Sequence, residues 1–400
     1  MVFPWARDWQ LRADTVYLNH GSFGLAPQPV LEVHRKWQHA LAGQPMDFFV
    51  RRYEPAWLEA RDTLAAWLGG ESDCVALLEN ATVAMNVVAQ AFPLQSGDEV
   101  LVTDHEYGAV VRTWQAACSA AGARLVTAEI PWPLHDADEV VEAIFRAATE
   151  RTRLIVFSHI TSPSALILPA AAIAAEARKR GIAVCIDGPH AIAQLPLNLT
   201  ELGCDFYTAS CHKWLSAPIG SGFLYAAPKW HSRLLPLVTS WGRIPPTEPQ
   251  RWWEWFVWRG TRDATALLTI PAAIEYLGER VGWDRFRQET HALAQQARER
   301  LLERWCGTCW TPDDPAWYGS LVTVPLPPGD APSLQRRLWE HHGIEIPVIA
   351  PGSARWIRVS CHLYNDAADL DRLMIALERE LNEESPHSWQ LSTVPEDRDV

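Results

Sequence analysis

Short apolar runs of strand length alternate with longer amphipathic stretches over residues 54–225, and this alternation constrains the fold more than any other feature. The apolar runs are Glu99 to Thr103, Arg124 to Glu129, Leu154 to Ser158, Ala183 to Asp187 and Asp205 to Ser210. The helical patterns between or before them include Glu54 to Leu68, Ala81 to Ala91, Asp138 to Ala148 and Ala170 to Arg180. Such alternation predicts βαβ units, a mostly parallel sheet and an α/β fold. Ligands of such sheets collect at the carboxyl ends of the strands.

The pattern changes after Gly260. One long helical stretch, Thr265 to Arg304, precedes the strand-like runs Ser320 to Pro325 and Arg355 to Ser360 and the helical patterns Ser333 to His341 and Ala367 to Leu381. These segments predict a smaller α+β C-terminal domain. We expect an N-terminal segment over 1–20, a large domain over 21–262, a small domain over 263–384 and a poorly ordered tail over 385–400.

Composition excludes several classes of function. A formal charge of -13 without any basic cluster argues against a nucleic-acid partner. No apolar run is long enough for a signal peptide or a membrane span, so we expect a cytoplasmic protein without a membrane partner. Eight cysteines are then expected to be reduced. Cys306 and Cys309 have the spacing of half a zinc or redox site, but there is no second such pair, and we expect no metal.

Lys213 is the most unusual of the four lysines, because it ends the apolar run Cys204 to Lys213. An amine held at the end of a buried strand loses hydration, its pKa falls and it becomes nucleophilic. Lysines of this kind form Schiff bases. The alternative is a strand-end lysine that reaches solvent.

Asp187 ends a second apolar strand, and a carboxylate in that position needs a cationic partner. Pyridoxal phosphate (PLP) offers one, because its sites pair a Schiff-base lysine with an aspartate on the ring nitrogen. The interval from Asp187 to Lys213 fits one strand-turn-strand step, which brings both to one sheet edge. Asp187 alone is equally typical of a structural or metal-binding carboxylate.

A phosphate site is predicted where Glu79-Asn80-Ala81-Thr82 opens the Ala81 to Ala91 helix, since helix N-termini bind anions. An ordinary Asn or Thr N-cap is the alternative for this tetrapeptide. Ser210 and His212, just before the lysine, offer further donors.

The run Arg251 to Trp258 contains four tryptophans and is typical of core or interface packing, or of an aromatic wall beside a substrate.

Three motifs, Asn80-Ala-Thr82, Asp187-Gly-Pro-His190 and Ser210-Cys-His-Lys213, resemble the class V branch of the fold-type I PLP enzymes in order and spacing. Within that branch the chain is most similar to isopenicillin N epimerase and its relatives. The resemblance extends from Tyr17-Leu-Asn-His-Gly-Ser-Phe-Gly24 to Arg358-Val-Ser-Cys-His-Leu-Tyr-Asn365, nearly the whole chain. It implies a large domain with a mostly parallel seven-stranded sheet, a smaller α+β domain, and a homodimer with active sites at the subunit interface.

The resemblance also implies roles for individual residues. Lys213 would form the Schiff base and move protons at the substrate Cα. Asp187 would bind the ring nitrogen, His190 would lie near the 3′-oxygen, and Tyr107 would stack on the ring. The remaining positions that match cofactor-binding residues are Asn80, Ala81, Thr82, Ser210 and His212 at the phosphate, Thr161 and Ser162 facing the ring, and Thr261 from the other subunit.

For the substrate, the resemblance assigns Arg358 to the α-carboxylate, and a guanidinium fork suits a carboxylate. Taken alone, an arginine in this context is more often a surface strand residue. Asn19, His20 and Ser22 would border the substrate, or cap a turn at Gly21 and Gly24.

Removal of the Cα proton can lead to epimerisation, β-elimination or transamination, and the same residues serve all three. Epimerisation needs a second proton donor opposite Lys213, for which Tyr107, His105 and Tyr17 are candidates. We expect an epimerase-like enzyme acting on an α-amino acid with a long or peptide-linked side chain. The alternative is a C–S lyase acting on a cysteine conjugate or its sulfoxide.

Other activities have less support in the sequence. The desulfurase-like enzymes of this fold carry a nucleophilic cysteine shortly before the carboxylate-binding arginine, and Ile346 to Ala354 contains none. An NAD-binding oxidoreductase is disfavoured because Gly220-Ser-Gly222 lacks a third glycine and precedes a strand-like run. A non-catalytic PLP-binding module has no appended domain to support it.

Overall fold

The computed structural model describes residues 3–305, 307, 309, 311–350 and 354–384. The tail predicted over 385–400 and Cys306 of the Cys306–Cys309 pair lie outside these residues. Twelve strands are described: β1 Val16–Tyr17, β2 Val75–Leu78, β3 Glu99–Thr103, β4 Arg124–Ala128, β5 Thr152–Ser158, β6 Ala183–Asp187, β7 Phe206–Ser210, β8 Gly222–Ala226, β9 Leu321–Leu326, β10 Ile344–Glu345, β11 Val348–Ile349 and β12 Arg355–Ser360.

Twelve α-helical segments are described in the same residues: α1 Gln28–Gly43, α2 Pro45–Asp47, α3 Tyr53–Trp67, α4 Ala81–Ala91, α5 Gly108–Ala121, α6 Ala137–Ala147, α7 Ala170–Lys179, α8 Leu199–Leu202, α9 Ile270–Glu275, α10 Trp283–Trp305, α11 Ala331–His342 and α12 Ala367–Glu384. Among the described residues, no helix is both long and apolar enough to cross a membrane.

The central sheet has seven strands in the order β2-β8-β7-β6-β5-β3-β4. All neighbouring pairs from β7 to β4 are parallel, and β8 runs antiparallel to both β2 and β7. The predicted α/β fold with a mostly parallel seven-stranded sheet is therefore confirmed. Strands β3, β6 and β7 are buried along their whole length, which is why their sequences read as continuous apolar runs.

The register of the sheet brings polar residues together at its carboxyl edge. Ser158 at the end of β5 pairs with Asp187 at the end of β6, and Asp187 pairs with Thr208 of β7. Lys213 follows three residues after the end of β7. Three strand ends therefore place chemically active side chains side by side.

The C-terminal part contains a three-stranded antiparallel sheet in the order β11-β12-β9, with α10 packed against it. Strand β1 near the N-terminus pairs in parallel with β10, so the N-terminal segment lies on this part of the molecule.

The expectation of one helical stretch from Thr265 to Arg304 is wrong. Pro271 stands in the first turn of α9, and Gly282 adopts a positive φ of 90° that ends one helical segment before α10 begins.

The tryptophan-rich run is part of the core. Trp252 and Trp253 are buried in a short 3₁₀ helix, and Trp253 stacks on Trp57 with 6.0 Å between ring centroids. The Arg61 guanidinium lies over Trp253, 4.0 Å from the ring centroid. These contacts favour the packing interpretation, because they lie away from the strand ends that carry Asp187 and Lys213.

Candidate active site

A cavity of about 470 Å³ opens at the carboxyl edge of the central sheet. Twelve residues that the sequence predicted for the site line it: Ser22, Asn80, Ala81, Thr82, Tyr107, Ser162, Asp187, His190, Ser210, His212, Lys213 and Arg358. They come from the loop after β1, from the ends of five strands of the central sheet or the loops after them, and from β12. The cavity therefore needs both ends of the chain.

Lys213 points its amine into this cavity. The Nζ atom lies 3.4 Å from Nε2 of His190. Burial, helped by the positive charge of Arg358, lowers the pKa of Lys213 to about 8, and the charge of Asp187 opposes that shift. The amine is therefore partly neutral, and so nucleophilic, near neutral pH.

Gly24 explains why the N-terminal motif needs glycine. A Cβ atom at residue 24 would lie 2.3 Å from the carbonyl oxygen of His212 and 2.6 Å from that of Lys213. Only a residue without a side chain can approach the Lys213 backbone this closely. The N-terminal loop thus packs directly on the chain that carries the amine.

Asp187 presents a buried carboxylate to the cavity. One oxygen accepts a hydrogen bond of 2.9 Å from the Thr208 hydroxyl. Burial raises the pKa of Asp187 to about 6, while Thr208 and the charge of Lys213 act in the opposite direction. A buried carboxylate of this kind gains most from a cation placed directly in front of it.

His190 has a defined tautomer. Its Nδ1 atom accepts a hydrogen bond of 3.2 Å from the Trp214 indole, so the ring hydrogen is on Nε2. Burial holds the pKa of His190 well below its usual value, and the charges of Lys213 and Arg358 add to that shift. A neutral imidazole therefore offers an N–H donor next to Lys213.

The start of α4 lines one end of the cavity, where helix N–H groups suit an anion. The side chain of Asn80 accepts a hydrogen bond from the Val83 N–H at 2.9 Å, so Asn80 is the N-cap of this helix. The Ala81 N–H donates to the Ser210 hydroxyl at 3.0 Å, which joins the helix to the end of β7. Nδ1 of His212 is buried and has no hydrogen-bond partner within the described part of the chain, which leaves it available for an acceptor or donor in the cavity.

Arg358 enters from β12 and is 6% exposed. Its Nη1 atom donates to the carbonyl oxygen of Ser162 at 2.7 Å, and Nη2 donates to the Ser22 hydroxyl at 2.8 Å. The Nε atom is buried without a partner. Burial lowers the pKa of Arg358 to about 10, which leaves it charged at neutral pH. A fixed cation with an unpaired donor suits a carboxylate.

Four predicted residues lie outside the cavity lining. Thr161 is buried, and its hydroxyl accepts from the Leu166 N–H at 2.8 Å within its own loop. Asn19 donates to Glu345 at 3.1 Å. His20 bonds the carbonyl oxygen of Lys213 through Nε2 at 3.0 Å, so it supports the lysine from behind. Thr261 is exposed on the surface of the protomer.

The three candidates for a second proton donor differ in position. Tyr107 lines the cavity and is 51% exposed. His105 is buried and bonds the Ser164 hydroxyl through Nδ1 at 2.6 Å. Tyr17 donates its hydroxyl hydrogen to the carbonyl oxygen of Phe23 at 2.7 Å. Of the three, only Tyr107 faces the cavity.

Sequence reasoning missed Ser158 and Glu106. Ser158 lines the cavity at the end of β5, and it donates a hydrogen bond of 2.7 Å to the buried carboxylate of Glu106. Ser158 could have been found, because it ends an apolar strand as Asp187 does. Glu106 carried no such signal, since it follows Asp104 and His105 in a polar loop.

The arrangement fits PLP. Asp187 is buried at the cavity wall and forms no salt bridge with any described residue, His212 has a buried nitrogen without a hydrogen-bond partner among the same residues, and the N-terminus of α4 faces the same cavity as the Lys213 amine. These groups have the chemistry to hold a ring nitrogen and a phosphate and to react with an aldehyde. The guanidinium of Arg358 has the chemistry to bind a carboxylate.

Comparisons with known proteins agree with this chemistry. A model of the Aminotransferase class-V family matches residues 16–373. Isopenicillin N epimerase of Streptomyces clavuligerus is 37% identical, over 93% of this chain and 98% of that protein. L-cysteine desulfhydrase of Arabidopsis thaliana is 26% identical, over 90% of this chain and 86% of that protein.

A solved structure shares the fold. The structure of C-DES with glycine covalently linked to the PLP cofactor superimposes with a TM-score of 0.80 at 22% identity, covering 91% of this chain and 96% of that chain.

Proposed function

The chain belongs to the class V aminotransferase family of PLP-dependent enzymes, and we propose that it is an amino-acid epimerase similar to isopenicillin N epimerase. Its substrate is an α-amino acid with a long or peptide-linked side chain. The observation that carries the proposal is the placement of Lys213, Arg358 and Tyr107 around one cavity. Two isopenicillin N epimerases that are each 37% identical over at least 90% of this chain support the same reaction.

Each predicted residue has a defined task in this proposal. Arg358 binds the α-carboxylate of the substrate, and Ser22 and Ser162 hold the guanidinium in place. Asp187 and the N-terminus of α4 hold the two ends of the cofactor. When bound, PLP withdraws electrons from the substrate Cα and makes its hydrogen acidic.

Inversion at Cα requires proton transfer on two faces. Lys213 removes the Cα proton on one face, because its lowered pKa makes the amine a base near neutral pH. Tyr107 delivers a proton on the other face. Its exposed hydroxyl can exchange that proton with water between turnovers.

The mouth of the cavity supports a large side chain. Phe23 and Ile219 line it and are 66% and 69% exposed. An open, apolar entrance accommodates a substrate side chain that extends away from Cα.

A C–S lyase is the second candidate, since the L-cysteine desulfhydrase of Arabidopsis thaliana is similar over 90% of this chain. A lyase needs Lys213 and Arg358 but does not need a donor opposite Lys213. The two reactions therefore separate at Tyr107.

We further propose a homodimer with active sites at the subunit interface. Leu235, Leu237, Val238 and Trp241 are exposed apolar residues on one segment, and Thr261 is exposed nearby in the chain. Sedimentation would test the dimer, and Thr261→Ala should weaken cofactor binding if this residue reaches the partner's phosphate.

A cytoplasmic location is also proposed. Six buried cysteines, Cys74, Cys118, Cys185, Cys204, Cys211 and Cys361, form no disulfide with any residue that the structure describes, as expected of a protein kept in a reducing compartment. Fractionation of cells would test it.

Cofactor uptake is the first test. The protein should develop visible absorbance with PLP, the absorbance should resist dialysis after borohydride treatment, and Lys213→Ala should not form that stable bond. Failure of the unmodified protein to take up PLP would overturn the proposal.

Reaction type is the second test, with isopenicillin N and L-cysteine as probes in deuterated water. An epimerase gives the inverted amino acid with deuterium at Cα. A lyase gives a keto acid, ammonia and a released thiol or sulfide. Lyase products without inversion would replace the first proposal by the second.

A further inference from the structure

Glu106 is a buried carboxyl group beside the cavity that has no part in the chemistry described above. Its Oε1 atom accepts a hydrogen bond of 2.6 Å from the Thr103 hydroxyl, and Oε2 accepts one of 2.7 Å from the Ser158 hydroxyl. Thr103 ends β3 and Ser158 ends β5, and these strands are neighbours in the sheet. Glu106 therefore joins the carboxyl ends of two parallel strands.

Ser158 connects this carboxyl group to the candidate active site. It lines the cavity, and it pairs in register with Asp187 on the next strand. Two buried carboxyl groups thus occupy neighbouring positions along the sheet edge, with one serine between them. Burial raises the pKa of Glu106 to about 7, and the nearby charge of Asp187 adds to that shift.

Two hydroxyl donors suit the ionised form of Glu106, because a carboxylate only accepts hydrogen bonds. When the Ser158 hydroxyl donates its hydrogen to Glu106, the lone pairs of the Ser158 oxygen remain able to accept a hydrogen bond from a group in the cavity. A buried negative charge also raises the proton affinity of neighbouring groups, because interactions are weakly screened there.

Other titratable groups lie near Glu106 on β6 and on its own loop. On β6, the ionisable groups that face it are Asp187 and Cys185. On its own loop, Asp104 accepts from the Ile130 N–H at 3.0 Å and His105 bonds Ser164. Among the residues that the structure describes, the Thr103 and Ser158 hydroxyls hold the Glu106 carboxylate, and no cation is bonded to it.

We propose that Glu106 is a positioning residue whose negative charge, acting beside Ser158 and Asp187, raises the proton affinity of the bound cofactor's nitrogen atoms. It thereby sets the pH range in which the site works. This inference rests on the proposed function only in requiring that PLP binds over Asp187, and it holds for an epimerase and for a lyase alike.

The test is a pH titration of the visible absorbance of the PLP-loaded protein, without substrate. Glu106→Gln keeps the size of the side chain and removes its charge. The apparent pKa of the absorbance change should fall by about 0.5 pH unit or more, because protons near the cofactor are then held less tightly.

Glu99→Gln is the matched control. Glu99 is a buried glutamate at the start of β3, the strand that precedes the Glu106 loop, and Arg124 and Thr149 bond it there. The substitution is chemically identical, so any general effect of losing a buried carboxylate appears in both variants. The absorbance titration of the control should match that of the unmodified protein.

An unchanged titration in a PLP-loaded Glu106→Gln protein would overturn the inference and leave the proposed function intact. Failure of the unmodified protein to bind PLP would overturn both.

If Glu106→Gln does not fold, an NMR pH titration of the unmodified protein, labelled with ¹³C at glutamate carboxyl carbons, tests the same coupling. One glutamate should titrate at about pH 7 and shift its midpoint when PLP binds; a Glu106 signal insensitive to PLP would contradict the coupling.

Discussion

At the scale of single residues, the site combines groups whose charges are set by burial. Lys213 is partly neutral, His190 is neutral and Arg358 stays charged, and desolvation is the main cause of each pKa shift. A partly neutral amine, a neutral hydrogen-bond donor and a buried cation therefore coexist in one small cavity. Tyr107 and the amine of Lys213 each allow a prediction at this scale.

The first concerns Tyr107. Tyr107→Phe should lower the rate of epimerisation about 100-fold or more, because the second face loses its proton donor. Lys213 should still remove the Cα hydrogen of one substrate enantiomer, so that enantiomer should continue to exchange this hydrogen for deuterium. Mass spectrometry in deuterated water measures the exchange. Tyr17→Phe removes a tyrosine hydroxyl outside the cavity and should leave both rates close to normal. Equal losses in the two variants would contradict the role of Tyr107.

The second concerns the pH dependence of cofactor uptake. The neutral amine is the nucleophile, so the rate of PLP uptake by the apo-protein should rise as pH increases through about 8. The charge of Asp187 raises the pKa of Lys213, so Asp187→Asn should move the midpoint to lower pH. Stopped-flow absorbance measures the rate. Asp98→Asn, at the start of β3, is the control and should not move the midpoint, and a midpoint near 10.5 in the unmodified protein would contradict the lowered pKa.

At the scale of elements, close backbone contacts fix the position of Lys213. The N-terminal loop lies against His212 and Lys213 at Gly24, and His20 bonds the Lys213 carbonyl oxygen. On the other side, a Cβ atom on Gly222 of β8 would lie 2.8 Å from the Cα atom of Asn80. The N-terminal loop therefore packs closely on the backbone of the residues after β7, and β8 packs closely on β7 and on the start of α4.

Gly24→Ala tests this packing. The added methyl group meets backbone atoms, which cannot move aside independently, so the free energy of unfolding should fall by about 1 to 3 kcal/mol. PLP affinity should fall as well, because Lys213 is displaced. Urea denaturation and absorbance titration measure the two effects. Gly43→Ala at the end of α1 meets nothing within 4 Å and should leave stability unchanged or raise it by up to about 1 kcal/mol; similar losses in both variants would argue against the packing explanation.

At the scale of the whole molecule, the N-terminal segment holds together parts that are distant in sequence. Trp9 is buried against Tyr276, His362 and Tyr364, and its indole donates to the Leu25 carbonyl oxygen at 3.0 Å. His20 stacks on His362, with ring centroids 3.9 Å apart. This aromatic cluster lies directly behind the lysine backbone and connects the C-terminal part to the active site.

Trp9→Ala should lower the free energy of unfolding by about 3 to 5 kcal/mol, because it leaves a large cavity between the N-terminal segment and the C-terminal part. Trp9→Phe keeps most of the packing and should cost about 1 to 2 kcal/mol. Urea denaturation measures both. A loss for Trp9→Ala no larger than that for Trp9→Phe would show that the segment does not join the two parts.

The domain boundaries at residues 20, 262 and 384 stay predictions. The pairing of β1 with β10 does bring the N-terminal segment onto the C-terminal part, however. Sequence periodicity gives no information about such pairing, because both strands are only two residues long.

The sequence by itself determined the α/β fold, most strand positions and the placement of Asp187 and Lys213 at the carboxyl edge of the sheet. Those features follow from local patterns, since buried strands read as apolar runs and polar residues at their ends stand out. Only the tertiary structure decided that Tyr107 alone of three candidates faces the cavity, that Thr161 turns away from it, and that Glu106 reaches Ser158. The direction of a side chain depends on contacts between segments far apart in the chain, and a linear sequence does not carry those contacts.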